Sequence, residues 1–309
     1  MEEINLRAMR KADWPEVADL IYVSTNYWYE AHKLGVAFKG GPSSTRLHCE
    51  VYEALDPGCC ILAEHPETGR IMGSCFYHPR ETHVSLGIMN VHPNYFGSGI
   101  AKSLLKFIID YAERENKPVR LISSAMNLDS FSLYTRAGFI PRAVFQDMIL
   151  EVPKGGLNMQ LPESQYVRDA TLADVAAIAT LEMEISQIRR ERDYRYFIEN
   201  QAGIWHTSVF ENENGAIEGF LASIHHPGVN MLGPGFSKNQ EQAAALILAE
   251  LNNNKGRSPV FLIPVDCKSL VQKVYSWGAR NCEIHFCQVY GKYNPFNGVV
   301  LPTFMPETG

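Results

Sequence analysis

A stretch near the start of the chain returns near its middle. Leu6-Arg7-Ala8-Met9-Arg10-Lys11-Ala12-Asp13 has its counterpart 161 residues on, in Val167-Arg168-Asp169-Ala170-Thr171-Leu172-Ala173-Asp174. Continued without a gap, the same offset sets Val17, Ala18 and Leu20 against Ile178, Ala179 and Leu181. Each copy reads as a short strand, an Asp near a helix start, and an amphipathic helix. A repeat at the head of each half implies one plan used twice. The 309 residues suit two domains. Pro153-Lys154-Gly155-Gly156-Leu157-Asn158 breaks regular structure. The expected division is therefore 1–150, a linker over 151–165, and 166–309.

Within the first half, strands are expected at 59–64 and 71–79, joined by a turn at His65-Pro66-Glu67-Thr68-Gly69-Arg70. A strand at 83–91 and a helix at 99–115 follow, the helix burying Leu104, Leu105, Ile108 and Ala112 on one face. A strand at 119–124, a helix at 128–137 and a strand at 140–150 complete the half. The second half repeats this coarsely, with strands at 206–211, 216–225, 229–232, 259–264 and 282–291 and helices at 237–252 and 267–276. A hairpin run followed by βαβαβ points to an α/β (α+β) sheet rather than a plain Rossmann alternation.

Composition removes several classes of function. Twenty-eight basic residues against 34 acidic give a net charge of −6, without the basic surplus of a nucleic-acid binder. The basic run Arg189, Arg190 and Arg192, interrupted by Glu191, reads as a solvated helix face. The seven cysteines are odd in number and lack C-x-x-C spacing, so neither a disulfide framework nor a zinc site is expected. Met1-Glu2-Glu3-Ile4-Asn5 has no apolar signal region, and no run approaches the roughly 18 apolar residues of a membrane span. The expectation is a cytoplasmic protein with no membrane and no nucleic-acid partner, a monomer or homodimer. Met305-Pro306-Glu307-Thr308-Gly309 reads as a plain tail.

The stretch with most chemistry is Asn90-Val91-His92-Pro93-Asn94-Tyr95-Phe96-Gly97-Ser98-Gly99-Ile100-Ala101-Lys102, set between a strand and a helix. A helix start offers unpaired N–H donors and the positive end of its dipole. Gly97 and Gly99 remove the Cβ atoms that would hold a phosphate away from that backbone. The arrangement is an anion cradle suited to a pyrophosphate, or else a tight turn opening a helix. It is not a Walker loop, which needs Gly-Lys-Ser/Thr. Nor is it a Rossmann fingerprint, because a third Gly is missing and the site lies mid-domain rather than near a first strand.

Val91-x-Pro93 followed by Gly97-x-Gly99-x-Ala101 resembles motif A of the GCN5-related N-acetyltransferase (GNAT) family. Phe96 stands where that family usually has Arg or Gln. A second stretch, Asn127-x-x-Ser130-x-x-Leu133-Tyr134-x-x-x-Gly138-Phe139, resembles the family's next motif and follows it at the family's distance. The resemblance covers residues 4–150. It implies two tandem acyl-CoA N-acyltransferase folds, each a mixed, mostly antiparallel sheet flanked by helices. It implies acetyl-CoA as cosubstrate and a primary amine, small molecule or peptide, as acceptor. By the same resemblance, Met89 and Val91 hydrogen-bond the pantetheine arm, and the backbone of Phe96, Gly97, Ser98, Gly99, Ile100 and Ala101 holds the pyrophosphate. Asn127 contacts the arm or caps its helix, Ser130 helps at the pyrophosphate end, and Tyr134 is the general acid for the departing thiolate; no metal is implied. His83 and Glu81 are the nearest titratable groups to that strand, and each reads as an exposed strand end. Tyr27, Trp28, Tyr29, Glu30 and His32 could line an acceptor pocket or pack as core.

In the second half, Met231-Leu232-Gly233-Pro234-Gly235-Phe236-Ser237 takes the place of motif A, with Gly233 and Gly235 able to form a turn. Cys267, Val274 and Ala279 replace Asn127, Tyr134 and Phe139, so this copy reads as degenerate. A non-catalytic acyl-CoA-binding or regulatory protein, and a nucleotide-binding module using the Gly loop, are the competing functions.

Overall fold

The computed structural model describes residues 4–308. Met1, Glu2, Glu3 and Gly309, which entered the reading of the two ends, lie outside the described residues. The elements in chain order are β1 (Asn5–Ala8), α1 (Trp14–Ala31), α2 (Pro42–Leu55), β2 (Cys60–Glu64), β3 (Ile71–Pro79), β4 (Val84–Val91), α3 (Ile100–Arg114) and β5 (Val119–Ser124). Then come α4 (Leu128–Arg136), β6 (Ile140–Ile149), β7 (Val167–Asp169), α5 (Val175–Ser186), α6 (Glu191–Glu199), β8 (Trp205–Glu211), β9 (Ile217–His226) and β10 (Val229–Ser237). The last are α7 (Gln240–Asn253), β11 (Val260–Pro264), α8 (Lys268–Ser276), β12 (Arg280–Tyr290), β13 (Val299–Leu301), β14 (Thr303–Phe304) and β15 (Glu307–Thr308).

Two compact units form. The first contains residues 4–79, His83–Val119 and Phe304–Glu307; the second contains Arg80–Thr82 and Arg120–Thr303. In the first, β1, β2, β3 and β4 pair antiparallel in that order. Strand β3 is buried along nearly its whole length because both of its faces are covered. Tyr77 packs against Phe107 and Tyr111 of α3, while Phe76 and His78, on the other face, pack against Tyr52 of α2. The α3 stripe Leu104, Leu105, Ile108 and Ala112 is at most 1% exposed. Burying each of its larger side chains contributes about 1.5–3 kcal/mol. At Gly73 a Cβ would come within 2.8 Å of Ile100 Cγ2, so glycine there lets the start of α3 sit directly on β3.

In the second unit the sheet order is β5, β12, β6, β11, β10, β9, β8, β7, with β13 on β10. The β10–β11 pair is parallel. The core joins Met148, Leu150, Leu221, Leu246, Phe261, Ile263, Leu270 and Val274. Chain order and sheet order disagree at the centre. Strand β5 is followed in the chain by β6 but neighbours β12; β11 is followed by β12 but pairs with β6. Strands β6 and β12 have thus each crossed to the other half's sheet.

The repeat is visible as one recurring ion-pair clamp. Arg7 donates to both carboxylate oxygens of Asp13 at 2.7 and 3.0 Å and to Glu64 at 2.5 Å. Arg168 donates to both oxygens of Asp174 at 2.8 Å, and also to Glu211. Each clamp ties a first strand to the following helix start.

Several expectations need correction. Helix α2, which follows a Gly-Pro start, has no counterpart in the sequence reading, and of the basic run read as one helix face only Arg192 lies in a helix, the nine-residue α6. Arg190 is 6% exposed and paired with Glu182, not solvated. Strand β10 runs on to Ser237 instead of ending near 232. The chain's end is no plain tail: Met305 is fully buried, and the Tyr52 hydroxyl donates to the Phe304 carbonyl at 3.0 Å.

Candidate active site

In the first unit, Met89, Val91, Phe96, Gly97, Ser98, Gly99, Ile100 and Ala101 follow one another from β4 into α3. A one-turn helix at Pro93–Tyr95 makes the bend, capped by His92, whose Nδ1 accepts from Asn94 N–H. The Phe96 and Ser98 N–H groups donate back to Pro93 and Tyr95 at 3.2 and 3.3 Å. Gly97 and Gly99 have φ of +79° and +88°, and a Cβ at either would meet nothing within 4 Å. Both therefore need glycine for the backbone, and the space above them is open. Gly99 is the N-cap of α3 and supplies no side-chain cap. The N–H groups of the first α3 turn, at Ile100, Ala101 and Lys102, are thus directed outward without an internal acceptor of the usual kind. A diphosphate fits such a site by charge and by donor count. The Phe96 ring is 49% exposed and packs edge-on to Tyr27 at 5.8 Å, so it supplies no donor.

Immediately before Met89, β4 carries a bulge. Cys75 pairs with Met89 and Tyr77 with Leu86, which leaves Gly87 and Ile88 facing Phe76 alone. Bulges turn backbone groups out of the ladder and recur beside active sites. At this bulge stands His78, 1% exposed. Its Nδ1 donates to Asp56 Oδ2 at 2.6 Å, with Asp56 4% exposed. That bond sets the tautomer and turns Nε2 toward β4, where a Cβ on Gly87 would lie 3.0 Å away. Sequence reasoning missed this pair because Asp56 and His78 are 22 residues apart on different elements. The readable signal was a His within an otherwise apolar strand.

The two titratable residues chosen from sequence behave differently. His83 is 2% exposed, not an exposed strand end, and bonds Ser85 Oγ through Nε2 at 3.0 Å. Glu81 is exposed and pairs with Arg189 at 3.3 Å. The cluster at the end of α1 points largely outward: Tyr27 is 51% exposed, and Trp28 stacks on His32 at 4.2 Å.

Asn127, Ser130 and Tyr134 come together in the second unit, on α4. Asn127 Oδ1 accepts from Ser130 N–H at 3.0 Å and the Ser130 hydroxyl donates to Asn127 O at 3.1 Å, so the Asn127 side chain caps the helix. Tyr134 is 7% exposed, its ring 5.8 Å from that of Phe139.

The same unit shows why the second motif is degenerate. Gly233 and Gly235 do not form a turn; they lie inside β10, flanking a register shift. A Cβ on Gly235 would come within 2.5 Å of Leu221, and one on Gly233 within 2.8 Å of the Pro302 carbonyl. Helix α7 starts later and is capped by Asn239, whose side chain accepts from Gln242 N–H. Packing fills the cradle, and a side chain occupies the helix start. Among the described residues one group, Asp147, Glu283 and His285, brings three potential metal-ligand atoms within 4.8 Å of one another. His285 Nδ1 donates to Asp147 at 2.9 Å and Ser124 donates to Glu283. Among the described residues no helix is long and apolar enough to cross a membrane.

Residues 21–139 match the acetyltransferase (GNAT) family. A curated relative, the UPF0157 protein YqkA of Bacillus subtilis (strain 168), is 32% identical over 78 residues, 25% of this chain. The match spans only 22% of that relative's own length. Among solved structures, a Pyrococcus horikoshii protein provisionally assigned as an acetyltransferase superposes with a TM-score of 0.75 at 14% identity, covering 99% of this chain and 96% of its own. A GCN5-related N-acetyltransferase from Sphaerobacter thermophilus gives 0.62 at 16% identity, with 95% and 97% covered. A tandem GNAT protein from the clavulanic acid biosynthesis pathway gives 0.60 at 13% identity, with 94% and 100% covered. At these identities the likeness is one of fold, and that fold is the tandem GNAT arrangement.

Proposed function

We propose, from the match of residues 21–139 to the acetyltransferase (GNAT) family, that this chain transfers an acetyl group from acetyl-CoA to a primary amine. The observation that carries the reading is the loop at Gly97 and Gly99. Two left-handed glycines under open space lead into a helix without a side-chain cap, directly after a bulged strand. Backbone donors at Gly97, Gly99, Ile100 and Ala101 hold the diphosphate, and Met89 and Val91 extend β4 along the pantetheine arm. Residues 1–150 form the catalytic half, 151–165 the linker, and 166–309 a supporting half without its own cofactor site.

In this reading the amine nitrogen attacks the thioester carbon. The new N–C bond forms, the C–S bond breaks, and backbone N–H groups at the β4 bulge stabilise the oxyanion. The proton lost by the amine passes to His78 Nε2, with the imidazolium steadied by Asp56. The thiolate takes its proton from Tyr134, a phenol with ordinary pKa about 10 and therefore protonated at neutral pH. Measuring thiol release from acetyl-CoA against a panel of primary amines tests the proposal. Saturable, amine-dependent release supports it; release absent with every amine, despite tight CoA binding, would favour a non-catalytic acyl-CoA-binding protein.

A further inference from the structure

A cavity of about 230 Å³ opens in the first unit, lined by none of the residues from Gly97 to Ala101. Three parts of the chain wall it. Helix α1 gives Glu16, Asp19, Leu20 and Val23, whose spacing sets all four on one face of the helix. The entry to β3 gives Arg70 and Ile71. The one-turn helix after β4, with its cap, gives His92, Asn94 and Tyr95.

The charges in this lining do not satisfy one another. Glu16 is fixed against the wall by one oxygen, Oε1, which accepts from Ile71 N–H at 2.9 Å. Asp19 and the Arg70 guanidinium line the same cavity, yet among the described residues neither has a hydrogen-bond or ion-pair partner. His92 Nδ1 accepts from Asn94 N–H at 3.2 Å, which leaves Nε2–H as a further donor. Between the charged groups the lining is apolar. Leu20 and Ile71 are buried, and the Tyr95 ring, edge-on to His92 at 6.0 Å, adds an aromatic wall. An apolar body with a few separated polar groups is the usual form of a small-molecule site. The volume is below the roughly 300–1,000 Å³ of sites for drug-sized ligands, so the ligand is a small metabolite.

We propose that this cavity binds a basic α-amino acid of the lysine or ornithine kind. Such a molecule carries two ammonium groups and one carboxylate, the complement of Glu16, Asp19 and Arg70. Its ammonium groups meet the two carboxylates. Its carboxylate meets Arg70, whose planar fork accommodates both oxygens. Its methylene chain lies over Leu20, Val23 and Ile71, and an ammonium near the Tyr95 ring gains further attraction. Two carboxylates against one guanidinium leave the lining net negative, which disfavours any part of the coenzyme that carries phosphate. The site is therefore separate from the diphosphate cradle, and it stands whether or not the transfer reaction occurs.

The test is isothermal titration of the full chain, without acetyl-CoA, with lysine and ornithine. Cadaverine, which lacks the carboxylate, and norleucine, which lacks the side-chain ammonium, are the controls. The expected result is saturable binding of lysine or ornithine, with each control weaker by about tenfold or more. Arg70→Met should weaken lysine by a similar factor and leave cadaverine unchanged, whereas Asp19→Asn should weaken lysine and cadaverine alike. Loss in these variants assigns the binding to this cavity and not to the transfer site. Both side chains are exposed, and thermal unfolding checks that the variants fold. Should either fail, saturating the Tyr95 ring protons of the wild type serves instead, and it should transfer to the methylenes of bound lysine. No saturable binding of either amino acid, a control that binds as tightly as lysine, affinities unmoved in both variants, or no transfer from Tyr95 overturns the proposal.

Discussion

His78 and Tyr134 handle the two protons of the proposed transfer, and each can be tested alone. Tyr134→Phe keeps the ring that packs on Phe139 and removes only the hydroxyl. Turnover should fall about 10²-fold or more while CoA affinity is unchanged; an unaltered kcat would take Tyr134 out of the mechanism. Asp56→Asn removes the carboxylate that fixes the His78 tautomer. It should lower kcat by a similar factor and displace the acidic limb of the pH–rate profile, whereas a merely structural role would lower Tm and leave that limb in place. Titration also reaches into stability. His206 donates to the fully buried Glu250 at 2.9 Å, and this bond raises the imidazole pKa above 6.5. A raised folded-state pKa stabilises the protein fully below the unfolded value and loses that contribution as pH climbs through the folded one. Denaturant midpoints should therefore drop between pH 6 and pH 9 more in the wild type than in His206→Gln; equal drops would remove the linkage. Asp174 runs the other way. The Arg168 guanidinium holds it at about 2, so its contribution is present above pH 3.8 and is lost as pH falls toward 2.

At the level of elements, the strand–loop–helix was readable because each of its parts has a local signature. Alternation gave β4, the periodic apolar face gave α3, and two glycines marked the turn. The bulge in β4 has no such signature, since it depends on which residues of β3 lie opposite. The Asp56–His78 pair stayed hidden for the same reason, and so did the burial of Arg190 against Glu182. Gly233 and Gly235 misled, because a glycine read alone does not say whether it serves a turn or close packing; here Leu221 and the Pro302 carbonyl fill the space. The distinction gives a paired prediction. Gly99→Ala places a Cβ on a left-handed residue in open space and should cost about 1–2 kcal/mol in stability while weakening CoA binding. Gly235→Ala drives a Cβ into Leu221 and should destabilise the fold without changing CoA affinity in the folded fraction. Unfolding curves and calorimetry on both variants decide whether the two sites differ as described.

For the molecule as a whole, the repeat announced two halves and a tandem fold, but not where the halves separate in space. Compact units follow sheet neighbours, and β6 and β12 have crossed: β6 pairs with β11 and β12 lies beside β5. Crossing of this kind leaves no mark in hydrophobic periodicity, because an antiparallel neighbour from either half satisfies the same pattern. The consequence is that residues 1–150 expressed alone lack both sheet neighbours of β6, so the fragment should show no cooperative unfolding transition as a monomer. A monomeric fragment with the full chain's cooperativity would contradict this topology. The claim on which the functional account depends is narrower, that the backbone at Gly97, Gly99, Ile100 and Ala101 grips coenzyme A. Isothermal titration of the intact chain with coenzyme A should give one saturable site per chain, abolished or strongly weakened in Gly97→Val. Titration heats indistinguishable from dilution in the wild type would contradict it.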